Sequence, residues 1–97
     1  MGGMSAATTF KSPHLELARA MLEIVRLERS CIECLDLTGM AERATQREAL
    51  AERAVNLARQ VPVPEAAKRD YRIAHRMAKD NRNILQSAQH AVSTMLN

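Results

Sequence analysis

Ninety-seven residues allow one domain, near the lower end of sizes that hold together without metal or disulfides. Apolar residues make up 46%, yet only Phe10 and Tyr71 are aromatic, which argues against an aromatic-lined ligand cavity or a base-stacking surface. The 14 basic and 11 acidic residues give a net charge of +3 and are interspersed, as in Glu42-Arg43, Glu52-Arg53 and Arg69-Asp70, so the surface reads as solvated rather than as a nucleic-acid footprint.

Strand formers are scarce and never alternate over four or more positions, so the expected fold is all-α. No run approaches the roughly 20 apolar residues of a membrane span. The N-terminus lacks the charged start and apolar run of a secretion signal, and a cytosolic protein is expected. Met1-Gly2-Gly3-Met4 suggests myristoylation only superficially, because Ala6 stands where that motif requires Ser or Thr.

Residues 1–11 are small and polar and read as a flexible segment, and residues 12–97 as a single helical domain. Ser12-Pro13 starts the first helix: Ser is able to accept an orphan amide hydrogen bond and Pro is preset for the first helical position. Leu17, Met21, Ile24, Cys31 and Leu35 form one apolar row, with Ala18, Leu22, Val25 and Ile32 beside it. The helix is expected to run to Leu37, with Gly39 taking the left-handed conformation of a C-terminal cap.

A second, shorter helix is expected over 40–60, with Leu50, Ala54, Leu57 and Val61 on one face and a more polar first half. Val61-Pro62-Val63-Pro64 breaks the chain, since proline removes an amide donor and excludes helix at the residue before it. The third helix then runs over 65–96. The three segments predict an antiparallel helical hairpin or bundle of two long helices, with the shorter one packed along or across it.

The third helix carries the clearest pattern in the chain. Ala67, Tyr71, Ala74, Ala78, Asn81, Leu85, Ala88, Val92 and Met95 follow one another in steps of four and three, which keeps one stripe on one face for about eight turns. Ile73, Met77, Ile84 and Ala91 form a second apolar row beside it. Asn81 is polar where an apolar residue is expected. Buried in the seam, such an Asn fixes register at a cost in stability, and Asn81→Leu is then expected to raise the melting temperature while loosening pairing or client specificity; at the stripe's edge it bonds to water and the same change leaves the melting temperature where it was. A stripe this long on a small chain is either core or a surface for a partner, and self-association is one expected outcome.

Groups able to carry chemistry are few. Cys31-Ile32-Glu33-Cys34 places two thiols on one helix face, but no second CxxC or paired His completes a zinc site, and the pair reads as structural. His75, followed by Lys79, invites comparison with histidine phosphotransfer domains, although Asp80 would repel a phosphoryl group. No phosphate loop, carboxylate pair or nucleophile with a nearby base is legible, so no enzyme activity and no cofactor are expected.

Residues 21–57 resemble the N-terminal part of FlgN-family flagellar export chaperones. The resemblance rests on Leu22-Glu23, Glu28, the stretch Leu35-Asp36-Leu37-Thr38-Gly39-Met40, and Arg47-Glu48-Ala49-Leu50. Asp80-Asn81-Arg82-Asn83-Ile84-Leu85 is similar to that family's Asn-rich step in its final helix. The resemblance implies a cytosolic protein that caps the amphipathic terminus of a hook-associated flagellar subunit before export. The client is expected on the third helix, at Met77, Ile84, Leu85, Ala88, Val92 and Met95. The alternatives are phosphotransfer through His75 or a generic helical scaffold of a secretion apparatus.

Overall fold

The computed structural model describes residues 12–96, so the flexible segment expected at 1–11 and Asn97 lie outside the described residues. Three helices follow in order: α1 is Pro13–Glu33, α2 is Leu37–Ala58 and α3 is Glu65–Leu96. Among the described residues there is no strand, and no helix is long and apolar enough to cross a membrane.

α1 starts at Pro13 as the sequence predicts, but the Ser12 side chain makes no cap bond; its carbonyl accepts the Glu16 N–H at 3.0 Å instead. The end of α1 differs from expectation. The Asp36 N–H donates to the Cys31 carbonyl at 2.8 Å and the Leu35 N–H to the Ile32 carbonyl at 3.1 Å, the paired bonds of a Schellman motif. The residue in left-handed conformation is Leu35, with φ of 58°, not Gly39. The helix therefore stops four residues short of Leu37.

Asp36 serves both helices. Having closed α1, it caps α2, its carboxylate accepting the Gly39 N–H at 3.0 Å. Gly39 is needed for space rather than for its dihedral angles. A Cβ there would lie 2.7 Å from the Cys31 Sγ and closer still to the Asp36 carboxylate. α2 ends where the Gln60 and Val61 amides both donate to the Leu57 carbonyl, and the prolines prevent further winding. α3 restarts with the Lys68 N–H on the Pro64 carbonyl at 2.9 Å.

The chain forms an all-α bundle with α1 in the middle. α2 returns antiparallel to α1, since Glu28 meets Arg47 while Leu17 and Ala20 share a cleft with Leu50 and Leu57. α3 runs in the same direction as α1, since His14 meets Tyr71 and Val25 meets Asn81. The antiparallel hairpin is thus α1 with α2. No Cα of α2 comes within 8 Å of one in α3, which leaves a groove between them floored by α1.

The α1–α3 seam is built from small residues. Ala18, Ala67, Ala74 and Ala78 are buried around Val25, with Met21, Leu22 and Met77 packed against the cluster. Alanine at these positions lets the two backbones approach closely, so contact comes from main chain and Cβ atoms rather than from large interlocking side chains.

Candidate functional site

The stripe on α3 meets a matching one on α1. His14, Ala18, Met21, Val25, Glu28, Ile32 and Leu35 advance in the same steps of four and three. Five of these seven are buried and Met21 is half-buried; Leu35, the last, turns out to solvent at 75% exposure. The α1 side of the seam is complete only if its polar members are counted. A search for apolar rows alone divides it in two and misses His14 and Glu28.

Both polar members are fully engaged. His14 has no solvent exposure. Its Nε2 donates to the Val61 carbonyl at 2.9 Å, which leaves Nδ1 to accept the Tyr71 hydroxyl at 2.8 Å. The imidazole therefore ties the start of α1 to the proline turn and to α3. Burial raises the Tyr71 phenol above its ordinary pKa, which favours the protonated hydroxyl that this bond uses.

At the other end of the covered seam, Asn81 is 1% exposed. Its Nδ2 donates to the Val25 carbonyl at 3.0 Å and to Glu28 Oε1 at 3.1 Å, and its Oδ1 accepts from Arg29 Nε. Glu28 Oε2 accepts from Arg47 Nη2 of α2 at 3.2 Å. Asn81 and Glu28 thus join all three helices through one polar cluster. Its partners are charged side chains and a carbonyl rather than a second Asn, a point the sequence pattern does not reveal.

Beyond Asn81 the seam loses its cover. Leu85 is half-buried and lines the groove between α2 and α3, of about 320 Å³, together with Leu37, Met40 and Gln89. Ala88 is exposed, Val92 is 54% exposed and Met95 83%. Ile84 flanks them, also exposed. Met77, the remaining residue expected at a client surface, lies two turns back and packs on the core beside Val25. The structure therefore brings Ile84, Leu85, Ala88, Val92 and Met95 onto one free end of α3, without Met77.

This free end differs chemically from the rest of the chain. No Asp, Glu, Lys or Arg follows Arg82, so 83–97 carries only apolar, small and amide side chains and His90. A helix meant to stand in water carries charge on most of its faces. Depletion of charge together with exposed Val, Met and Leu is the composition of a buried interface.

Cys31 is half-buried against Gly39 and Cys34 is exposed at the end of α1, both as free thiols. Among the described residues no group of three or more His, Cys, Asp or Glu side chains is arranged to hold a metal ion. His75 is exposed on α3. The chain matches no family model, no curated protein and no solved structure.

Proposed function

We propose that the chain is a helical binding protein that takes an amphipathic helix of a protein client onto the free end of α3. One observation carries this reading: the stripe that packs against α1 continues past the end of α1 as an uncovered, charge-free apolar seam. A client helix laid along Ala88, Val92 and Met95 would continue the line of α1 beyond its end, with Leu37 and Leu85 at the mouth of the adjoining groove, the helix-in-groove mode of recognition. Its burial would be on the order of 1,000 Å² in total, at the low end of standard interfaces. The resemblance of 21–57 to FlgN-family chaperones supplies the class of client, the amphipathic terminus of a hook-associated flagellar subunit held unpolymerised in the cytosol.

The test uses Ala88→Asp with Val92→Asp, because both side chains are exposed and outside the three-helix core. The expected result is an unchanged melting temperature and loss of capture of the hook-associated subunit's terminal peptide, read by calorimetry. A folded double variant that binds the peptide as tightly as the parent chain would remove this site. Capture by the parent chain should depend only mildly on salt, since no charged residue lies in the seam.

A further inference from the structure

The charges that alternate along the sequence separate on the folded surface. Residues 12–64 hold seven basic and eight acidic side chains, whereas α3 holds six basic and three acidic, so the positive excess of the described residues sits on α3. The six are Lys68, Arg69, Arg72, Arg76, Lys79 and Arg82, all exposed. An α-helix turns about 100° per residue, which gathers these six into a sector of roughly 140°, turned away from the seam against α1. Asp70 falls on the other side of the helix, and Asp80 lies just outside the sector, beyond Arg76. Glu65 opens the face and pairs with Lys68 at 3.1 Å; among the described residues the other five cations of α3 make no ion pair.

We propose that this basic face of α3 docks in the major groove of duplex DNA. Four of the six cations are Arg, whose planar fork matches phosphate oxygens. The spread of charge across the face selects the partner. Arg82 stands at one margin of the sector, Arg69 and Arg76 at the other, with Arg72 and Lys79 between them. A helix about 10–12 Å across fills a major groove about 12 Å wide, and a strand of phosphates lines each wall. Cations at both margins then meet both strands at once. An acidic peptide or a single strand offers one line of charge and engages one margin only.

Other anionic surfaces fit this face less well. A helix lying on a lipid surface inserts apolar side chains beside its cations, and no apolar side chain lies within this sector between Glu65 and Ser87. The major groove of an RNA duplex is too deep and narrow to admit the helix. Asn83 and Gln86 extend the face by about one turn, and their exposed amides are of the type that reads base edges. The face is separate from the apolar seam at Ala88 and Val92, so the proposal goes beyond client binding and does not depend on it.

Fluorescence anisotropy of the full chain with a labelled DNA duplex of about 20 base pairs, starting at about 50 mM salt, tests this. The expected result is a complex whose log K falls against log salt with a slope of about −4.5, as five unpaired cations release counterions. Arg72→Glu with Lys79→Glu should weaken the complex by about 100-fold at an unchanged melting temperature, because both side chains are exposed and unpaired. Arg19→Glu with Arg26→Glu alters the net charge equally at exposed positions of α1, and should cost less than about fivefold. Equal losses from the two double variants would mean that net charge alone holds the duplex, and would overturn the proposal. A DNA duplex bound no more tightly than single-stranded DNA, an RNA duplex, polyglutamate or phosphatidylserine vesicles would overturn it as well. So would the absence of binding at the lowest salt.

Discussion

The two halves of the α3 stripe obey one spacing rule and meet opposite fates. Over 67–81 the stripe is Ala, Tyr, Ala, Ala and Asn, and its members are buried or half-buried beneath α1. Over 85–95 it is Leu, Ala, Val and Met, and all but Leu85 are exposed. The bulkier apolar side chains are the ones left outside. Periodicity decides which face of a helix is apolar, whereas the length of the opposing helix decides how much of that face is covered. α1 ends at Glu33 because the Schellman turn at Leu35 and Asp36 stops it, and Leu37, just past that turn, lies beside Leu85 and Gln89, so Val92 and Met95 extend beyond it.

The largest expected effect breaks the covered half. Asn81→Leu removes the acceptor of Arg29 and one partner of the buried Glu28 carboxylate, and sets an apolar side chain against both. The expected outcome is destabilisation by about 3 kcal/mol in urea unfolding, because a buried charge left short of partners costs more than one leucine returns. This reverses the sign that the seam-Asn rule alone suggests. That rule assumes an amide whose removal leaves nothing behind; here the removal strands charged neighbours.

A matched pair of changes compares the halves directly. Ala74→Leu adds bulk where α1 and α3 are closest, and overpacking there is expected to cost about 2 kcal/mol. Ala88→Leu, one helical face but four turns later, meets open space and should shift monomer stability by less than about 0.5 kcal/mol. Thermal melts of the two variants read both. Equal costs at the two positions would mean that the end of α3 is packed after all.

Much of the fold was legible in the sequence, and the reasons are local. Ser12-Pro13 and the proline turn mark the helix starts, and the stripe on α3 follows from spacing alone. The C-terminal boundary of α1 was not legible, because Gly39 is the obvious left-handed residue and Leu35 is not. Gly39 turns out to make room for the Asp36 carboxylate, a tertiary demand that no dihedral preference encodes. His14 and Glu28 were missed because polar residues drop out of a search for apolar rows, although they keep the four-and-three step. For the site, the seam residues were legible as a stripe; that Met77 belongs to the core and Val92 to the surface depends on where α1 stops.

The smallest expected effect acts on that stopping point. Leu35 is held at φ of 58°, where an L side chain is strained, and its own side chain is three-quarters exposed, so little apolar burial offsets the strain. Leu35→Gly removes the strain but adds freedom to the unfolded chain. The balance is expected to stabilise the monomer by about 0.5–1 kcal/mol. Thermal melts of the Leu35→Gly variant read this balance, with a higher melting temperature expected. An unchanged or lower melting temperature would mean that the leucine side chain, and not only the turn's dihedral angles, holds the end of α1.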